Sequence, residues 1–148
     1  MAKIIDKPLT NETVCECDYI FVALYPEGVV NYIRNIAPSI QSNTVVVDLC
    51  GTKMNVCPDC FAIAEEYGFN FVGGHPMAGT HNSGFKYSRA NMFSGAPMVI
   101  VPPRFDDIEL LDKIKTILAP CGFGSREAAA ALITGLMAKE SIISTLAV

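Results

Sequence analysis

Apolar residues along this chain switch between a continuous run and a three-to-four-residue spacing, and that switching predicts the fold class. Residues 19–25 form a β-rich apolar run, and Pro26-Glu27-Gly28 opens a helix-like stretch over 29–40 with Val29, Ile33, Ile36 and Ile40 at helical spacing. Pro38 marks its last turn. Residues 44–49 make a second run, continuous rather than alternating, as expected of a parallel strand covered on both faces. A helix over 54–67 is stopped by Gly68, a short strand spans 69–73, and a fourth spans 97–101. Residues 106–118 read as an amphipathic helix, with Asp106 and Asp107 at its positive end and Ile108, Leu111, Ile114, Ile117 and Leu118 inward. The order predicts an α/β architecture: a parallel sheet with flanking helices and right-handed crossovers.

The candidate chemistry sits where the third strand ends, in Gly73-Gly74-His75-Pro76-Met77-Ala78-Gly79, closed by Ser83-Gly84. A neutral imidazole takes or gives a proton near physiological pH, and loops at strand ends are where rigid scaffolds present such groups. Pro76 stops a helix through His75, and the glycines permit positive φ and close backbone approach. Taken alone, such a histidine equally serves to satisfy a turn carbonyl.

Composition narrows the classes. A chain of 148 residues with 51% hydrophobic residues suits one domain with a real core. The net charge of −4, with no run of Lys or Arg, argues against nucleic acid as a partner. No apolar stretch reaches the roughly 18 to 20 residues of a membrane span and the N-terminus has no hydrophobic signal region, so a cytoplasmic protein is expected. Six cysteines, several inside apolar patterns, read as reduced thiols. Cys57-Pro58-Asp59-Cys60 with His75 and His81 has the spacing of a zinc site. The helix and strand between them, and Pro76 and Gly79 between the histidines, are the wrong elements for a finger, so no metal is assigned. A thioredoxin-like role for the same cysteines lacks the rest of that fold.

The run from Phe71 to Gly84 resembles the His-Pro-Met-Ala-Gly…Ser-Gly signature of the prephenate dehydrogenase family, which includes arogenate dehydrogenases. Thr44-Val45-Val46-Val47-Asp48-Leu49-Cys50-Gly51-Thr52-Lys53 resembles the family's strand ending in Asp, followed by a small residue and a Lys. The apolar strand from Tyr19 to Pro26 stands where the family has one ending in Ala-x-Pro.

The resemblance implies a partial Rossmann-like, doubly wound sheet over residues 1–125 and the start of a helical dimerisation and substrate domain over 126–148. It implies oxidative decarboxylation of prephenate or arogenate with NAD or NADP, in tyrosine biosynthesis, with His75 as general base. Gly51, Thr52, Lys53, Thr80, His81 and Ser83 are the implied substrate-binding positions, and Lys53 ranks ahead of the other local cations, Lys86 and Arg89. Ala23, Tyr25, Pro26, Asp48 and Gly51 are the implied cofactor-side positions. Two departures stand out: Gly51 replaces a common Ser that helps orient the histidine, and His81 replaces a common acidic residue. The chain also has no Gly-x-Gly-x-x-Gly turn, so weak or no NAD binding by this chain alone is expected. We expect a chain shortened at both ends, self-associating through an exposed sheet edge. A non-catalytic remnant of the same fold and a zinc-binding module stay open as alternatives.

Overall fold

The computed structural model describes residues 6–79 and 85–124. Its sheet has four strands in the order β1-β2-β3-β4, with β1 (Tyr19–Val22), β2 (Val45–Asp48), β3 (Asn70–Pro76) and β4 (Met98–Val101). The first three are parallel, in register from Tyr19 against Val45 and Val45 against Asn70. Helix α1 (Pro26–Ile36) joins β1 to β2, α2 (Cys57–Tyr67) joins β2 to β3, and α3 (Ile108–Leu118) follows β4. This is the predicted α/β architecture.

Both helical crossovers cover one face. Val29, Ile33 and Ile36 of α1 and Cys57, Cys60, Ile63 and Ala64 of α2 pack on Ile20, Val22, Val46 and Phe71. Leu110 and Ile114 of α3 close the other face over Val45, Val47 and Val72. All four β2 residues are therefore buried, and the continuous apolar run is explained by cover on both sides. Pro26 occupies the first turn of α1, where its missing N–H costs nothing, so that helix starts three residues earlier than its apolar spacing alone suggests. Gly68, at φ 77°, closes α2 in the left-handed conformation.

Two expectations are corrected. The sheet is not wholly parallel: β4 runs antiparallel to β3. A parallel fourth strand needs a crossover to the far end of the sheet. Here Met77 N–H donates to the Pro97 carbonyl at 2.9 Å, so the chain re-enters at the end it left. The inward face of α3 is also narrower than expected and turned from it: of the five expected positions only Ile114 is buried, and Leu110, outside that set, joins it. Asp107 caps the helix by accepting the Leu110 N–H at 3.0 Å, Leu110 and Ile114 point inward one turn apart, and Ile108 is 70% exposed. Ile117 is exposed as well, because a helix on a flat sheet seats one stripe.

Among the described residues the outer edge of β1 has no partner strand, and no helix is long and apolar enough to cross a membrane. Residues 126–148, the expected helical start, lie outside the described residues.

Candidate active site

The carboxyl ends of β1, β2 and β3 meet at one edge of the sheet, and the candidate residues follow from what terminates each strand. β2 ends in Asp48, whose side chain is fully buried. A buried carboxylate is tolerated only with donors around it, and Asp48 has them. Its Oδ2 accepts from the Cys50 N–H at 3.2 Å, the Cys50 thiol at 2.9 Å and the Lys53 ammonium, while Oδ1 accepts from the Gly74 N–H at 3.3 Å. Lys53, 4% exposed, donates in addition to the Gly74 carbonyl at 2.5 Å. Its own carbonyl accepts from Val56 and Cys57, so the same residue starts the turn into α2.

Gly73 and Gly74 make this packing possible. A Cβ on Gly73 would lie 2.5 Å from the Cys57 Sγ and 3.2 Å from the Lys53 Cδ; one on Gly74 would lie 2.6 Å from the Asp48 carbonyl oxygen. The glycines therefore supply space between strands and for the lysine stem. They are not a turn: β3 continues through Pro76 and neither glycine has positive φ. The expectation of a glycine-rich turn carrying His75 is corrected in this sense, because antiparallel pairing of Gly73 with Val101, Gly74 with Ile100 and His75 with Val99 keeps the segment extended.

His75 is half-buried, and Gly51, itself exposed, lies against its ring: a Cβ there would stand 3.4 Å from the imidazole Cε1. Burial pushes the imidazole below its ordinary 6.5, the Lys53 ammonium pushes it further, and the Asp48 carboxylate pulls it part of the way back. The ring is thus biased to the neutral form that accepts a proton. The Thr52 hydroxyl oxygen is shut off from solvent, and no described residue bonds to it.

The structure brings His75, Gly51, Thr52, Lys53 and Asp48 together, with Lys53 and Asp48 turned inward onto each other rather than outward to solvent. Ala23 and Tyr25 are exposed just past β1, and Pro26 opens α1 beside them. Thr80, His81 and Ser83 lie outside the described residues. Lys86 and Arg89 are exposed, the former 4.9 Å above the Tyr87 ring. Sequence reasoning named Asp48 and Lys53 separately and missed their pairing and the Gly74 backbone that joins them. The available signal was a charge standing directly after a fully apolar run.

Cys57 and Cys60 are buried at the start of α2, and burial pushes both thiols up to about 12; the Cys50 thiol rises to about 11 through burial and its bond to Asp48. Such thiols are weak nucleophiles. A thiol-reactive disulfide reagent at pH 8 is expected to label the exposed Cys15 and Cys121 quickly and to reach Cys50, Cys57 and Cys60 only after unfolding. Fast labelling of Cys57 or Cys60 in the folded chain contradicts the packing.

A mostly parallel α/β sheet with helical crossovers, and with Asp48, Gly51 and His75 gathered at the carboxyl ends of its strands, has the architecture of a Rossmann-type domain. Residues 2–126 match the sequence profile described as "Prephenate dehydrogenase, nucleotide-binding domain". The chain belongs to the prephenate dehydrogenase family. It is 27% identical over 106 residues to the prephenate dehydrogenase of Bacillus subtilis (strain 168), which covers 71% of this chain and 28% of that protein. In fold it is similar to the arogenate dehydrogenase of Synechocystis, at TM-score 0.69 and 20% identity over 93% of this chain and 54% of that one. It is likewise similar to Aquifex aeolicus prephenate dehydrogenase, solved with hydroxyphenyl propionate and NAD+, at TM-score 0.63 and 24% identity over 90% and 46%. The chain thus spans about half the length of these structures and less than a third of the Bacillus relative.

Proposed function

We propose that this chain carries the proton-accepting half of a dehydrogenase acting on prephenate or arogenate, with His75 as general base and a nicotinamide nucleotide as hydride acceptor. The observation that carries the reading is a half-buried imidazole held below its ordinary pKa at the carboxyl end of β3, opposite a residue with no side chain. Family membership and an Aquifex neighbour solved with NAD+ support it.

The residues at the ends of β1 and β2 fit a nicotinamide nucleotide. Ala23, Tyr25 and Gly51 leave an open surface there, and Thr52 offers a hydroxyl that lacks a described partner. When bound, the nicotinamide supplies a hydride acceptor. The protein's part is then to take the ring hydroxyl proton at a His75 nitrogen as hydride leaves the same carbon, after which loss of carbon dioxide makes the ring aromatic. Lys53 and Asp48, buried against each other, support the base from behind. Thr80, His81 and Ser83 complete the substrate side in this reading, and copies of the chain associate through the open edge of β1.

The test is NADH formation from prephenate and from arogenate, each with NAD and NADP. The chain is assayed as it stands and with a Gly-x-Gly-x-x-Gly strand–turn–helix fused ahead of it. The expected result is little or no turnover from the chain alone, because pyrophosphate binding needs such a turn, and turnover with the fusion. Silence in both forms, with no change at His75 on adding prephenate, overturns the reading in favour of a non-catalytic remnant.

A further inference from the structure

We propose that the buried Asp48–Lys53 ion pair is the positioning group of this site, gripping both backbone polar atoms of Gly74 and so fixing the place and charge environment of the adjacent His75. The inference rests on His75 being the base, and assigns work to two residues that solvent and ligand cannot reach. Asp48 takes the Gly74 N–H and Lys53 donates to the Gly74 carbonyl, so one ion pair holds a single peptide residue from both its polar ends. That residue immediately precedes His75. The pair also ties β2 to β3 at the point where β2 stops and β3 runs on for three more residues.

A buried pair is an expensive way to hold two strands together, since desolvation offsets most of its attraction and a well-packed apolar pair holds them as well. Its distinguishing property is the field it sets. Lys53 and Asp48 both bear on the charge of His75, with opposite effects. Gly51, which lies against the ring, contributes no charge. A group that both clamps the backbone and biases the imidazole toward neutrality does what a general base needs: a fixed origin and an available lone pair.

The two effects separate by experiment. With His81→Gln in the background, His75 is the sole imidazole, and its titration is followed by heteronuclear NMR on the chain alone. Lys53→Met is expected to move the His75 midpoint up, Asp48→Asn to move it further down, and Lys53→Arg to leave it nearly in place. A role confined to packing would loosen the site in both charge-removing variants and move both midpoints up toward 6.5, which overturns the proposal. If a single variant does not fold, the Asp48→Asn/Lys53→Met double variant, with no unpaired buried charge, supplies the measurement. A raised midpoint there, with the midpoint held in Lys53→Arg, is then expected, and a midpoint that rises in both variants or in neither overturns the proposal. Since no substrate is involved, this outcome is independent of the base assignment, which fails separately if NADH formation survives His75→Asn.

Discussion

His75→Asn is expected to lower NADH formation from prephenate by the Gly-x-Gly-x-x-Gly fusion about 10²- to 10⁴-fold, the range a positioned general base contributes, while leaving the fold and the substrate concentration for half-maximal rate little changed. Asn keeps a polar group of similar size at the end of β3 and removes only the ability to accept a proton. In the parent the rate should fall as pH drops through the His75 midpoint, which lies below 6.5 because burial and the Lys53 ammonium disfavour the charged ring. Above that midpoint the rate is flat. The Asn variant should lose this acid limb and be uniformly slow. The same shift bears on stability: with the folded midpoint below the unfolded one, the unfolded chain binds more protons, so stability is full above 6.5 and declines as pH falls toward the folded value. A pH–rate profile that keeps its acid limb in the Asn variant assigns the limb to another group and removes His75 from the mechanism.

Much of the fold was legible because its signals are local. The continuous apolar run at 44–49 and the short stretch at 69–73 after Gly68 are too short for helices and read as strands, and Val29, Ile33, Ile36 and Ile40 leave one helical face to choose. What escaped was set by pairing across the sheet. Gly73, Gly74 and Pro76 are turn residues by type, yet they lie in β3 because β4 pairs with them, and pairing outweighs propensity. The direction of β4 was hidden for the same reason. On α3 six apolar positions compete for an inward place, and the sheet accepts one narrow stripe through Leu110 and Ile114, of which the spacing pointed only to Ile114. In the candidate site, the residue types of His75, Gly51 and Thr52 were visible in the motif. The joining of Asp48 to Lys53 was not, since nothing in a sequence says that an acid and a base five residues apart turn inward onto a backbone 21 residues further on.

That backbone is where the largest stability effect is expected. In Gly74→Ala the new methyl would lie 2.6 Å from the Asp48 carbonyl oxygen, 2.9 Å from the Met98 Cε and 3.0 Å from the Val47 Cγ1. Met98 and Val47 can yield, but the Asp48 carbonyl is main chain at the end of a buried strand and cannot move without parting β2 from β3. Overpacking of this kind costs about 1 to 3 kcal/mol and occasionally more, and the parting also pulls Gly74 away from the groups that hold its N–H and carbonyl. Against a total of about 5 to 15 kcal/mol for a domain, the midpoint of urea unfolding should drop sharply. Gly73→Ala differs in kind. Its first obstacle is the Cys57 Sγ at 2.5 Å, a side-chain atom, so Cys57→Ala should restore much of the loss, whereas Met98→Ala should do little for Gly74→Ala. Gly79→Ala is the control, with nothing within 4 Å and no positive φ, and is expected to fall within about 0.5 kcal/mol of the parent. If Gly74→Ala unfolds at the same urea concentration as Gly79→Ala, the two strands leave room for a methyl there, and the clamp on Gly74 is refuted with the close approach.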